Sequence, residues 1–162
     1  MKTYFHAQLL AASLLAVSAF SQAAPVEFSF DDMSHPKANE FLQQSFDALL
    51  NDHQKLEGSL ADDFVQVFGA TINSREDFLD HSKALQKSVA SAKVHFEDVN
   101  VDEDGTISEI HTVAIRKKDG SEAVLRFLAF WSFKDGKLSK IDELSALIQG
   151  SSADKDIGAR TK

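Results

Sequence analysis

The chain has 162 residues, 25 acidic against 17 basic, a formal charge of −8, 43% hydrophobic residues and no cysteine. That acidic balance repels phosphate backbones and anionic bilayers, so neither nucleic acid nor membrane is expected as a partner. The missing thiols exclude disulfides and thiolate chemistry, and the length suits one domain that folds around its own core.

In chain order, residues 1–23 read as a secretory signal. Lys2 supplies the positive start, Leu9 to Phe20 is apolar but too short to span a bilayer, and Ser21 to Ala24 offers small residues for cleavage. Pro25 disfavours a cut immediately before it, so the bond after Ala23 is expected to break and Ala24 to start the mature chain. All 25 acidic residues lie beyond that cut and Lys2 does not, leaving a formal −9 on about 139 residues. The product is expected to be secreted, into a bacterial periplasm. Residues 24–35 read as an N-terminal extension, 36–148 as the domain, and 149–162 as a polar tail, disordered unless Ile157 and Arg160 dock it against the sheet.

Pro36 fits the first turn of a helix, and Ala38, Phe41, Leu42, Ser45, Phe46 and Leu49 continue one stripe to about His53. Leu56 to Phe64 predicts a short second helix and Phe64 to Phe68 a small strand. Ser74 with Asp77 forms a capping-box pattern, predicting a third helix from Arg75 with Phe78, Leu79, Ser82, Leu85 and Val89 on its buried stripe.

Asp104-Gly105, Asp119-Gly120 and Asp135-Gly136 then separate four stretches rich in Val, Ile, Leu, Phe and Thr. Asp-Gly adopts the positive φ of tight hairpin turns cheaply, so strands are predicted over about 94–103, 106–118, 121–134 and 137–148 in an antiparallel meander. Helices followed by such long strands predict an α+β fold, with N-terminal helices packed in the concave face of a strongly curved antiparallel sheet, a half-open cone.

Two-residue turns would set cross-strand rows Phe96, Val113, Arg126, Ser145 and Asp98, His111, Leu128, Glu143, flanked by Val94, Ile115, Val124, Leu147 and by Phe130, Ile141. Asp98, His111, Arg126 and Glu143 would then converge inside an apolar ring, the composition of a small-molecule pocket. A three-residue turn with a glycine bulge at Asp135-Gly136 would turn Asp142 inward instead of Glu143. The opposite face, Leu125, Ala114, Phe127, Thr112, Leu144, Ala129, Ile110, Val99, Trp131 and Val101, is also largely apolar and calls for cover by a second copy, predicting a homodimer through the convex face.

The helix-then-meander order, the Phe133-Lys134-Asp135-Gly136-Lys137-Leu138 turn, and Ile141-Asp142-Glu143-Leu144 leading to Asp154 through Arg160 together resemble the SnoaL-like branch of the nuclear transport factor 2 superfamily, over about residues 36–160. The resemblance implies a conical α+β fold, often dimeric, with a pocket between helices and sheet. That superfamily includes isomerases, cyclases, epoxide hydrolases and noncatalytic members, so fold does not fix activity. The isomerase pattern with a tyrosine oxyanion donor does not carry over, because the one tyrosine, Tyr4, falls in the leader. Similarity to the cyclases implies a carboxylate base near the last strand, where Asp142 and Glu143 stand. Similarity to the epoxide hydrolases implies Arg126 working with Asp98 or Glu143.

His111, Asp142 and Glu143 are therefore the candidate acid–base groups. Asp98, Arg126, His81, Phe96, Val113, Leu128 and Phe130 are the candidate ligand contacts. His111 read as a hydrogen-bonded strand histidine, Arg126 as a structural ion pair and His81 as a helix-boundary residue are the bland alternatives. Asp102 to Gly105 lacks the spaced ligands of a calcium loop, and the histidines lack zinc spacing, so neither metal nor cofactor is called for. Two functions remain: a binder of a small, partly apolar molecule with isomerase or cyclase-type proton transfer, or a noncatalytic association or sequestering module.

Overall fold

The computed structural model describes residues 23–161; all of the expected leader except Ala23 lies outside them. The expected extension is a strand, β1 (Val26–Phe30), whose alternating Val26, Phe28 and Phe30 are half-buried. Helix α1 (Pro36–Asn51) starts at its proline and buries Leu42 and Phe46. It stops two residues short of the predicted end, because the Asp52 side chain accepts from the Lys55 amide and opens a separate helix, α2 (His53–Ser59). Strand β2 (Leu60–Phe68) takes over where the second helix was expected to continue, and turns back into β3 (Thr71–Ser74). Helix α3 (Arg75–Ser88) opens on the predicted reciprocal capping box of Ser74 and Asp77. The meander follows as β4 (Val89–Val101), β5 (Ile107–Lys117), β6 (Glu122–Lys134) and β7 (Lys137–Gln149).

These seven strands form one sheet in the order β1-β4-β5-β6-β7-β2-β3. The α+β cone is as expected, but the sheet is mixed: β1 runs parallel to β4, and β2 parallel to β7. The helices fill the concave side, where Phe46 of α1 meets Phe96, His111 and Trp131 edge-on or tilted. Such contacts add to the burial that drives the layers together.

Two turns differ from the two-residue form. Only Gly105 and Gly120 carry positive φ in the first two, with Asp102 bonded to Thr106 and Lys117 to Ser121 around three-residue loops. Asp135 and Gly136 both have positive φ, 52° and 76°, and make the predicted two-residue turn. Bulges then shift the register at Glu97 in β4 and at Ser139 in β7. The observed inward rows are Phe96, His111, Phe127, Ser145 and Val99, Glu109, Ala129, Glu143. All of β6 is reversed relative to the two-residue register, so Leu125, Phe127, Ala129 and Trp131 point into the core while Arg126, Leu128 and Phe130 point out.

The C-terminal segment is docked along the cone. Ser151 caps a short 3-10 turn over Ser152–Asp154, and buried Asp154 pairs with Lys117 at 2.9 Å. Ile157 is buried as predicted. Gly158 is squeezed between rings: an added Cβ would lie 2.7 Å from Phe68 and 2.8 Å from Phe127. Gly158→Ala is therefore expected to destabilise the protein by about 1–3 kcal/mol through overpacking, measured by urea unfolding.

Candidate functional site

The alternation of β5 places Glu109, His111 and Val113 on one inward face, with Thr112 between them facing out. His111 Nδ1 donates to both oxygens of Glu109, at 2.9 and 2.7 Å, and Trp131 Nε1 donates to Glu109 Oε1 at 3.0 Å. All three side chains are buried. The carboxylate thus fixes the orientation of the imidazole through Nδ1. Phe127 stacks on the ring at 4.7 Å between centroids, locking its plane.

Glu143 lies in the same cross-strand row as Glu109, with Ala129 between them. Gln66 Nε2 donates to Glu143 Oε1 at 2.6 Å and to the Gly158 carbonyl at 3.0 Å, while Gln66 Oε1 accepts from Asn73 at 2.8 Å. Burial pushes the Glu143 carboxyl up to about 8, only partly countered by the Gln66 hydrogen bond, with Glu109 and Asp142 adding to the rise. Glu143 is therefore largely protonated at neutral pH. His81 Nδ1 donates to the Arg160 carbonyl at 2.7 Å, and burial pulls the imidazole down to about 4, leaving it neutral.

These groups surround a cavity of about 70 Å³. Phe46, Leu49, Phe78, Val113, Phe127, Trp131 and Ile141 supply apolar wall, while Gln66, His81, His111 and Glu143 supply the polar points. His111, Glu143, His81 and Val113 from the sequence reading thus meet at one cavity, and Phe96 packs behind it at 5.5 Å from the His111 ring.

Five predicted contacts belong elsewhere. Asp98 is turned outward by the Glu97 bulge, pairing with Ile110 and accepting from Asn100. Arg126 sits on the convex face, where it holds Glu97 through Nε and Nη2 at 3.0 and 2.6 Å. That guanidinium, with Thr112, keeps the Glu97 carboxyl down at about 2. Leu128 and Phe130 are exposed on the same outer face. Asp142 also faces outward and pairs with Lys140 at 2.7 Å. Sequence reasoning missed Glu109, although its spacing of two from His111 on a strand was a usable signal. Nothing in the sequence marked Gln66.

A SnoaL-like domain model matches residues 42–141. The chain belongs to the SnoaL-like domain family. An uncharacterized protein of Schizosaccharomyces pombe (strain 972 / ATCC 24843) is 28% identical over 125 residues, covering 75% of this chain and 95% of the relative. Among solved structures, AclR from Streptomyces galilaeus is similar with a TM-score of 0.61 at 13% identity, covering 80% of this chain and 89% of AclR. An LEH-like epoxide hydrolase of M. tuberculosis is similar with a TM-score of 0.55 at 15% identity, over 74% of this chain and 86% of the hydrolase. At these identities the solved structures establish the shared fold alone.

Glu143 and His81 tie stability to pH in opposite directions. Unfolded Glu143 ionises near 4.5 while the folded group holds its proton to about 8, so stability falls as pH rises between those values, by about 1.4 kcal/mol per pH unit at most. Unfolded His81 takes a proton below 6.5 and the folded ring only near 4, so stability also falls as pH drops through that window. Glu143→Gln should be more stable than the wild-type protein at pH 8, with the difference closing toward pH 4, as measured by denaturant unfolding across pH.

Proposed function

We propose that the cone binds a small neutral molecule, mostly apolar with one carbonyl or hydroxyl oxygen, and moves a proton on it. The observation that carries this reading is the pairing, at one apolar cavity, of an imidazole oriented by Glu109 with a carboxyl that burial keeps protonated. In an isomerase-type cycle His111 Nε2 takes a proton from the carbon beside the carbonyl, and Glu109 stabilises the resulting imidazolium. Glu143 donates its hydrogen bond to the oxygen on which negative charge collects, and His111 returns the proton to carbon. The low-dielectric walls strengthen both interactions. An epoxide hydrolase built on the same fold in M. tuberculosis is in keeping with chemistry inside such a cone.

The reading is tested by deuterium wash-in to acetone and butanone followed by NMR. Exchange above the buffer rate is expected, falling about 10²–10⁴-fold in His111→Ala and in Glu143→Ala. Exchange at the buffer rate with saturable binding of the same ketones would leave the sequestering module, and neither exchange nor binding would sink both readings.

Export and dimerisation complete the proposal. Asn51 brackets Ala24, accepting from its amide at 2.7 Å and donating to its carbonyl at 3.0 Å, so a cut after Ala23 leaves a tethered first residue. On the convex face Leu128, Phe130 and Leu144 are 47%, 54% and 61% exposed around the Ile110, Leu128, Leu144 row, an apolar patch in keeping with a second copy as its cover. The wild-type protein is expected to sediment as a dimer and Phe130→Asp as a monomer.

A further inference from the structure

Outside the cone lies a groove of about 490 Å³ along α3 and the C-terminal segment, lined by Asp80, Lys83, Lys87 and Arg160 among others. Two side chains, Leu85 and Ile157, line both this outer groove and the inner cavity, so they are the wall between them. Leu85 belongs to the buried stripe of α3. Ile157 does not come from the sheet or from an α-helix. It rides on the docked C-terminal segment, whose polar anchors are the Asp154–Lys117 pair, the Gln66 bond to the Gly158 carbonyl and the His81 bond to the Arg160 carbonyl. None of those anchors uses the Ile157 side chain.

We infer that Ile157 is the specificity-determining residue of this cavity: it closes the route from the groove and sets the largest molecule that the cone accepts. The inference rests on the cavity's being a ligand site, as proposed above, and concerns its size limit rather than its chemistry. An apolar cavity of about 150 Å³ accepts benzene, roughly twice the volume found here, so a six-membered ring is expected not to fit while Ile157 is in place. Shortening this side chain joins cavity to groove and leaves all three anchors standing. Other wall residues, such as Phe46 and Trp131, pack against one another between helix and sheet, so trimming them disturbs the layers themselves.

Benzene is a suitable probe, since its binding needs neither His111 nor Glu143. Trp131, the chain's single tryptophan, lines the cavity and reports occupancy by its fluorescence. Wild-type protein should give no saturable change with benzene, whereas Ile157→Ala should give a saturable Trp131 response and a melting temperature that rises with benzene concentration. Equal responses in the two proteins, or none in a folded Ile157→Ala, would overturn the inference. Should Ile157→Ala lose cooperative unfolding, Ile157→Val with xenon decides: at least threefold tighter xenon binding than wild type supports the gate, and unchanged binding refutes it. A benzene response in Ile157→Ala together with ketone exchange at the buffer rate would preserve the size limit and remove the proton-transfer reading.

Discussion

One buried amide, Gln66, holds the site together. It donates to Glu143 on β7 and to the Gly158 carbonyl of the C-terminal segment, and accepts from Asn73 on β3. A primary amide offers two donor hydrogens and an oxygen, and here both kinds of group are engaged away from water. The carboxyl that faces the cavity and the C-terminal segment that lines it are therefore fixed by the same nitrogen. Losing either acceptor would leave a polar hydrogen stranded in an apolar interior.

Around that amide the sheet divides its labour by face. The inner rows combine large rings with a few ionisable groups, each with a defined partner: Glu109 with His111 and Trp131, Glu143 with Gln66. The outer face carries the open ion pairs, Arg126 with Glu97 and Lys140 with Asp142. Their exposure makes them modest contributors to stability. Inside, burial outweighs the hydrogen-bond partners in setting charge, raising the Glu143 carboxyl and lowering the His81 imidazole.

The helical stripes and the capping box at Ser74 were legible because they depend on local spacing, and so were four long strands, since Asp-Gly marks their ends. The faces were less legible because register is an accumulated quantity. A three-residue loop at Asp119-Gly120 reversed β6, exchanging Arg126, Leu128 and Phe130 for Phe127, Ala129 and Trp131. Phe96 kept its predicted side because the Asp104-Gly105 loop and the Glu97 bulge each moved the pairing by one residue in the same sense, and a total shift of two, from Val113 to His111, restores the face. Glu143 kept its side in the same manner, through the reversal of β6 and the Ser139 bulge. Asp98, just beyond its bulge, did not. The parallel pairings of β1 and β2 join segments far apart in sequence and leave no local signature.

The sheet's two borders are β1, five residues long, and β3, four, beside interior strands of up to thirteen. Each outermost strand is therefore short, and at the β1 border Glu27 of β1 pairs with Lys93 of β4 at 2.9 Å. Strand-by-strand growth into a filament has little template on this molecule.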